Sequence, residues 1–510
     1  MQKFSLGKDT LTSEILVKLG STVNPSVVIE KETLDKVAFF RKKVTEILAG
    51  DERVYGINTG FGFLSNVAIP KDKLKQLQLN LVRSHACGVG RPVADEIVRG
   101  LLVLRAHTFL FGNSGIRPVV VEKVLEFLKA DILPIIPCQG SVGASGDLAP
   151  LSHLALGLIG EGDVRYQGAV RPAKEVLQQC KIEPLALEAK EGLSLINGTQ
   201  FMTVIAAFAL ERAKTISASA DIVASLSLSA IRGTSAAFDP RISAVRPQVG
   251  QGIVAKNMLK LFTGPDPIME SHAGCDRVQD PYSFRCIPQV HGASRDAIAH
   301  IQQTVDIELN SVTDNPLVFE DGSIISGGNF HGQPVALCMD YLAIAVAEFG
   351  SISERRTEKL TNPNLSGLPA FVTRDSGLNS GFMIPHVVAA ALVSENKTLA
   401  HPASVDSIPT SADKEDHVSM GPLAARKALE ITENTRKILS IEVLAAVQGI
   451  DLLSPLKPNK TLSLVMDAVR KIAPTVDVDR SMHKEIEAVA DWIIDGGLVE
   501  VVRKSGVHLQ

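Results

Sequence analysis

Residues 140–150 read Gly-Ser-Val-Gly-Ala-Ser-Gly-Asp-Leu-Ala-Pro, with Ala144, Ser145 and Gly146 at the centre. Gly146 has no Cβ, so its backbone nitrogen can bend back toward the Ala144 carbonyl through dihedrals that other residues resist. If that nitrogen attacks the carbonyl carbon and two water molecules leave, one from the Ser145 hydroxyl, a five-membered ring with an exposed methylene results. This tripeptide could therefore become a strong electrophile. Alternatively, Gly143, Ser145, Gly146 and Asp147 could simply end one segment and cap the next helix, since Ser, Asp and Gly are preferred there.

Candidate acid–base and anion-binding residues occupy two further segments. Tyr55 lies in a glycine-rich stretch, residues 54–62, whose backbone could approach a ligand. A phenol has a pKa of about 10, so Tyr55 can act as a base near neutrality only if that pKa falls by about two to three units. Arg285, in segment 279–285, has a planar guanidinium that can bind both oxygens of a carboxylate. Each residue taken alone could equally be structural.

The remaining candidates are isolated polar residues in loops. His85 lies near a predicted helix end, Asn197 precedes a long apolar segment, and Glu415 lies among carboxylates and a histidine in segment 410–417. Consecutive residues do not converge on one ion and no His-Glu-x-x-His is present, so we predict no metal site. The spacing Gly-x-x-x-Gly-x-Gly in residues 54–62 differs from the dinucleotide fingerprint, which argues against a nucleotide site.

The composition of the chain excludes several classes of partner. Its 510 residues carry 52 Lys plus Arg against 56 Asp plus Glu, a net charge of −4, so we predict binding to neither nucleic acid nor an anionic membrane. Apolar runs are interrupted by charge before about 18 residues and the N-terminus lacks a signal-peptide core, so we expect a cytoplasmic protein. The cysteines suggest neither a zinc ribbon nor a disulfide framework; they are Cys87, Cys138, Cys180, Cys275, Cys286 and Cys338.

The elements that must position these residues are predicted to be mostly helices. Leu34, Val37, Phe40 and Val44 recur at three- and four-residue intervals, which predicts a helix. A small hairpin is predicted around 164–166, and residues 201–231 are apolar enough to form a core helix. Loops at 272–289, 326–331 and 407–420 connect the later helices. Further helices are predicted over 71–86, 94–111, 118–130, 298–312, 334–360 and 422–449.

The candidate segments, taken together and in order, resemble the active-site segments of the aromatic amino-acid ammonia-lyases. The prosthetic group of that family, 4-methylidene-imidazol-5-one, would form here from Ala144, Ser145 and Gly146 without an external cofactor. The resemblance implies a mainly α fold of the fumarase/aspartase-like long-helix class, with a smaller mixed N-terminal domain over 1–195 and a helix-bundle domain over 196–510. It also implies a homotetramer whose active sites are shared between subunits.

The choice of substrate rests on the side-chain end of the implied site. Relatives of the phenylalanine type carry an apolar pair where this chain has Ser84-His85, tyrosine-type relatives carry His-Leu, and histidine-type relatives carry Ser-His. Glu415 replaces an amide that is usual in the first two types. The resemblance thus implies elimination of ammonia from L-histidine to trans-urocanate, the first step of histidine degradation. Two alternatives stay open: a tyrosine or phenylalanine ammonia-lyase or aminomutase, and a non-catalytic scaffold with an uncyclised tripeptide.

The resemblance also implies a role for each candidate. Either the amine or the aromatic ring of the substrate would add to the methylene made from Ser145, and Tyr55 would take the β-proton. Arg285 would bind the carboxylate. The remaining roles are to orient the prosthetic ring and the amine (Asn197, Gln279, Tyr282), to pack near the ring (Phe330) and to recognise the imidazole (His85, Glu415). The departure Asp413-Lys414, just before Glu415, is expected to alter only the rim of the site.

Overall fold

The computed structural model describes residues 3–50, 53–60, 67–275 and 277–510, and most of its elements are helices. The longest are Gln200–Ala230, Ile287–Leu309, Gln333–Thr361 and Gly421–Asp451. The predicted class, mainly α with long helices, is confirmed. The other α-helices are Ser13–Gly20, Lys31–Ala49, Leu74–His85, Asp95–Phe109, Pro118–Ala130, Leu148–Leu158, Ala173–Cys180, Glu191–Ile196, Pro240–Val245, Val249–Leu261, Pro267–Glu270, Tyr282–Arg285, Pro363–Ser366, Met383–Leu399, Lys460–Ile472, His483–Ile494 and Gly497–Lys504.

The predicted hairpin near residue 165 is present as Asp163–Tyr166 paired antiparallel with Ala169–Pro172. Its two-residue turn, Gln167 and Gly168, has φ of 51° and 80°. Such left-handed turns match the twist of the flanking strands. Leu133–Pro134 pairs antiparallel with Asp163–Tyr166 and extends the hairpin to a three-stranded sheet. The other described strands form two-stranded sheets: Phe4–Ser5 parallel with Val27–Val28, Val89–Pro92 antiparallel with Pro137–Gln139, and Leu317–Val318 antiparallel with Ile324–Ile325.

The helix predicted from Leu34 to Val44 is Lys31–Ala49, in which Val37, Phe40 and Val44 are buried and Leu34 is half-buried. Val44 and Phe40 pack with Ile57 and Val318 in one core cluster. These side chains recur on one face because three or four residues make about one helical turn. The sequence period therefore located both the helix and its buried face.

The helix Gln200–Ala230 is a core helix, as its composition predicted. Residues 201–210 and 221–230 are all buried. The middle of the helix, residues 211–220, is only partly buried. Its buried first turn begins at Gln200, just after Asn197.

The chain forms two compact units, each assembled from separate stretches. Unit 1 comprises Met1–Phe208, Gln302–Asp340 and Pro402–Arg426. Unit 2 comprises Ala209–Ile301, Tyr341–His401 and Lys427–Gln510, and includes a core cluster of Ala389, Val393, Ile438 and Ile441. The predicted division of the chain at 195/196 stays a prediction.

The helix Gln333–Thr361 is long and apolar enough to cross a membrane by length and composition. Interrupted apolar runs alone therefore do not exclude a membrane span in this chain. Within the protein, 67% of its most apolar window is buried, which is typical of a core helix.

Candidate active site

The segment Ala144-Ser145-Gly146 lies between strand Pro137–Gln139 and helix Leu148–Leu158. Gly146 has φ of +71°, and a Cβ placed on it would lie 2.1 Å from the carbonyl oxygen of Gly198. No side chain can occupy that space without moving the backbone. Glycine at this position is therefore required both by its left-handed conformation and by the close approach of a second chain segment.

Asp147 does not act as the simple helix cap that was the alternative interpretation of this segment. Its side chain makes no capping bond to helix Leu148–Leu158. Instead Oδ2 accepts a hydrogen bond from the backbone nitrogen of Met202 at 2.9 Å, and the Asp147 nitrogen donates to Gly198 O at 2.7 Å. Burial raises the pKa of Asp147 to about 8. Asp147 thus links residues 144–146 to the start of helix Gln200–Ala230.

Ser145 contacts two of the predicted site residues directly. Its hydroxyl donates to Glu415 Oε1 at 2.7 Å, and its carbonyl oxygen accepts from Asn197 Nδ2 at 2.6 Å. Asn197 is buried, and its Oδ1 has no hydrogen-bond partner among the described residues. The fold thus brings together three residues that lie far apart in the sequence.

These contacts meet the needs of a ring formed from the backbone of residues 144–146. The ring requires a glycine nitrogen free of side-chain crowding, and Gly146 fits where no other residue does. It also requires a serine hydroxyl accessible for elimination, and Ser145 lines a cavity. The amide of Asn197 already donates to the carbonyl that the ring would retain. The residues present therefore fit the group that the sequence resemblance implies.

A cavity of about 1300 Å³ opens beside Ser145, and its described lining residues all belong to unit 1. Gly146 is buried and directly follows the lining residue Ser145 in the chain. The cavity collects the majority of the predicted site residues; those in its lining are Tyr55, His85, Ala144, Ser145, Asn197, Phe330 and Glu415. Residues 61 and 62, at the end of the predicted glycine-rich loop, lie outside the described residues.

Glu415 is held by a tight turn that closes on itself. The Thr410 nitrogen donates to Glu415 O at 2.9 Å, and the hydroxyls of Thr410 and Ser411 both donate to Glu415 Oε2 at 2.9 Å. Ser411, Ala412 and Asp413 have φ of 53°, 53° and 61°. Left-handed conformations at residues other than glycine are costly and concentrate at functional sites. The turn therefore fixes one carboxylate oxygen and directs the other at Ser145.

His85 lines the cavity with a defined tautomer. Its Nδ1 lies 2.8 Å from the carbonyl oxygen of Leu81, which can only accept, so Nδ1 carries the proton of the neutral ring. Burial lowers the pKa of His85, which favours that neutral ring. Its Nε2 is therefore left as a hydrogen-bond acceptor.

Three predicted site residues, Gln279, Tyr282 and Arg285, belong to unit 2 and are absent from the described lining of the cavity. Gln279 is exposed, and the Tyr282 side chain is 71% exposed. The guanidinium carbon of Arg285 lies 4.5 Å from the centre of the Tyr282 ring, a cation–π distance. Their predicted roles stay predictions.

Sequence reasoning missed several residues of the cavity. Asn315, whose place in the site the sequence did not indicate, accepts at Oδ1 from Gly327 N at 2.8 Å and donates from Nδ2 to Ser326 Oγ at 3.0 Å. All three residues line the cavity, so these hydrogen bonds hold one part of its wall in place. Arg53 also lines the cavity, and no motif marked it. His331 and His417 stack with ring centroids 5.7 Å apart. The sequence indicated these two histidines only through their positions in the loop 326–331 and in segment 410–417.

Comparison with known proteins identifies relatives along nearly the whole chain. A family model described as aromatic amino acid lyase matches residues 11–471. The histidine ammonia-lyase of Geobacillus thermodenitrificans is 52% identical over 468 residues, which are 91% of this chain and 92% of that protein.

Solved structures agree with this match at the level of the fold. The histidine ammonia-lyase of Trypanosoma cruzi has a TM-score of 0.91 and 44% sequence identity, covering 99% of this chain and 95% of the other. The tyrosine aminomutase of Streptomyces globisporus has a TM-score of 0.93 and 38% identity, covering 100% of both chains. The fold is therefore shared by relatives that differ in substrate and in reaction.

Proposed function

The chain belongs to the aromatic amino acid lyase family, and from this membership we propose that it eliminates ammonia from L-histidine to give trans-urocanate. Its full-length relatives named histidine ammonia-lyase support this activity over that of the aminomutase neighbour. The observation that carries the choice of substrate is the His85 ring, fixed as an acceptor at the cavity beside the carboxylate of Glu415.

His85 and Glu415 recognise the imidazole ring of the substrate. Ring nitrogens buried in an apolar slot would lack partners, at a cost of about 1–3 kcal/mol each. His85 Nε2 can accept from a ring N–H, and the Glu415 carboxylate is a second acceptor at the same cavity. A phenyl ring presents no polar hydrogen to these acceptors, so the pair favours histidine over phenylalanine.

The electrophile is a 4-methylidene-imidazol-5-one made from Ala144, Ser145 and Gly146. Once formed, it supplies an electrophilic carbon that activates the substrate for loss of ammonia. Asn197 Nδ2 holds the carbonyl oxygen of Ser145, where a hydrogen-bond donor is favourable if negative charge develops. Tyr55, in the lining of the same cavity, takes the β-proton, and Phe330 packs near the ring.

The active protein is a homotetramer, and Gln279, Tyr282 and Arg285 of a second copy complete each site. The exposure of Gln279 and Tyr282 supports this arrangement, as does their absence from the described lining of the cavity. The cavity of about 1300 Å³ also exceeds the usual range for a small-ligand site, about 300–1,000 Å³, which leaves room for groups from another subunit.

An exposed apolar face on helix Met383–Leu399 supports association between copies. Ile384, Val387 and Val388 are 58%, 53% and 41% exposed and share one side of that helix because of their spacing. An apolar face of this kind commonly marks an interface.

Product identification tests the activity. Purified protein is incubated separately with L-histidine, L-tyrosine and L-phenylalanine, and the products are identified by absorbance and chromatography. We expect trans-urocanate and ammonia from histidine at the highest kcat/KM. Preferential formation of coumarate, cinnamate or a β-amino acid would contradict the proposal.

Subunit mixing tests the shared site. Ser145→Ala and Arg285→Ala chains carrying different tags are co-expressed, and assemblies holding both tags are isolated. If Arg285 serves the site of another copy, some sites receive an intact Ser145 and an intact Arg285, and activity returns. Mixed assemblies as inactive as both parents would place both residues in the site of one chain.

A further inference from the structure

Arg105 is a fully buried guanidinium that serves a turn of the backbone. It lies in helix Asp95–Phe109 and is 1% exposed. Its Nη1 donates to Gln200 Oε1 at 2.6 Å and to Asn197 O at 3.3 Å, and its Nη2 donates to the carbonyl of Ser194. Burying a charge is expensive, and the carboxylates of Asp314 and Asp147 offset only part of that cost for Arg105. Its hydrogen bonds therefore point to a specific need at residues 197–200, which we call the clamp turn.

Thr313 holds the same turn from another segment. It is 4% exposed, and its hydroxyl oxygen accepts from the Thr199 nitrogen at 3.1 Å and from Gln200 Nε2 at 3.0 Å. The Thr199 hydroxyl also lies within 3.2 Å of it. One small side chain thus contacts two consecutive residues of the clamp turn.

The clamp turn contacts the backbone on both sides of the peptide bond between Ser145 and Gly146. On one side, Asn197 Nδ2 donates to Ser145 O at 2.6 Å. On the other, Gly198 O accepts from the Asp147 nitrogen at 2.7 Å and lies too close to Gly146 for a Cβ to be placed there. A displacement of the turn would therefore be transmitted directly to Gly146.

We propose that Arg105 and Thr313 are positioning residues that hold the clamp turn against Ser145 and Gly146 and so promote closure of the prosthetic ring. In closure the Gly146 nitrogen bonds to the Ala144 carbonyl carbon. The Ala144 oxygen leaves as water with the amide hydrogens of Gly146 and Ser145. The Ser145 hydroxyl then leaves as a second water with the Ser145 Cα hydrogen, so no oxidant or reductant is needed.

The physical reason for such a role is orientation. Ring closure joins two backbone groups that ordinary chains keep apart, and holding reacting groups in place lowers the barrier of an intramolecular reaction. Arg105 and Thr313 touch neither reacting atom, so they act only through the turn. This inference rests on the proposed prosthetic group.

The test follows ring closure separately from folding. Full-length wild type, Thr313→Val and Thr432→Val are made by cell-free synthesis, and synthesis is stopped. The fraction of chains lighter by two water molecules is then followed by intact mass spectrometry, with thermal unfolding measured in parallel. Thr432 is the matched control, because it is buried and its hydroxyl bonds, among the described residues, only to Leu429 O of its own helix at 2.6 Å.

We expect closure in Thr313→Val to slow about tenfold, equivalent to about 1.4 kcal/mol in the barrier, while Thr432→Val closes at the wild-type rate. Thr313→Ser, which keeps the hydroxyl, should restore the rate. A folded Thr313→Val that closes as fast as wild type overturns the inference. If Thr313→Val does not fold, Arg105→Lys takes its place, since lysine lacks the fork that reaches several oxygens, and wild-type closure in that folded variant overturns the inference equally.

The mass of the wild-type chain distinguishes a failure of this inference from a failure of the proposed function. A wild-type chain that never loses two water molecules refutes the prosthetic group itself. A wild type that closes normally, beside folded variants that also close normally, refutes only the role of Arg105 and Thr313.

Discussion

Glu415→Gln changes the charge beside the cavity while keeping the shape of the side chain. The Thr410 and Ser411 hydroxyls can still donate to the amide oxygen, as they do to Oε2. The other position, which accepts the Ser145 hydroxyl at 2.7 Å, then becomes an NH2 group. An NH2 group donates and cannot accept, so an imidazole N–H that faces it loses its partner.

The expected loss follows from the kind of hydrogen bond removed. A hydrogen bond to a charged group contributes about 1.5–3 kcal/mol, so kcat/KM for L-histidine should fall about 10- to 150-fold. A phenyl substrate has no ring N–H to lose. Its kcat/KM should therefore change far less, and the ratio of the two values is the quantity to measure.

The assay follows urocanate and cinnamate by absorbance with matched protein concentrations. Intact mass first verifies that Glu415→Gln has formed the prosthetic group, because the substitution also touches Ser145. Asp416→Asn is the control. Asp416 is an exposed carboxylate in the lining of the same cavity, and this substitution removes one negative charge, as Glu415→Gln does. Equal losses for histidine and for phenylalanine would refute the assignment of Glu415 to the imidazole.

Two further predictions concern buried charges. Because burial raises the pKa of Asp147 in the folded state to about 8, the folded protein binds a proton that the unfolded chain releases, so this residue weakens stability as pH rises from about 4 to about 8. The unfolding temperature of Asp147→Asn, relative to that of the wild type, should therefore rise as pH increases across that range. A difference in unfolding temperature that stays constant with pH would contradict the raised pKa of Asp147. Arg356→Met should lower the free energy of unfolding by about 3–5 kcal/mol, because it leaves the Glu442 carboxylate buried without its guanidinium partner. That guanidinium donates to both carboxylate oxygens, at 2.5 and 2.8 Å. A free energy of unfolding, measured with denaturant, within about 1 kcal/mol of the wild-type value would contradict this.

Local patterns predicted the helices well because a helix is specified by residues close in sequence. The stripe of Val37, Phe40 and Val44 located helix Lys31–Ala49, and helix Pro118–Ala130 was predicted with its observed bounds. The proline at its first position explains that accuracy, since proline fits a helix start.

The contacts of the site could not be read in the same way. Ser145 and Glu415 are 270 residues apart, and only the fold shows that their side chains meet. The apolar run around Arg105, residues 101–111, is consistent with a buried position, but the sequence does not show which groups receive its hydrogen bonds, because they belong to another segment. Asn315 was likewise hidden, since a residue before proline is expected at a helix end whether or not it lines a cavity.

The intact mass of the purified wild-type chain tests the central claim most directly. If residues 144–146 have condensed into the electrophile, the chain is lighter than its sequence by two water molecules, the loss maps to the peptide containing Ser145, and Ser145→Ala lacks both the prosthetic ring and its near-ultraviolet absorbance. A chain of unmodified mass that still releases ammonia from L-histidine at full rate would contradict the account.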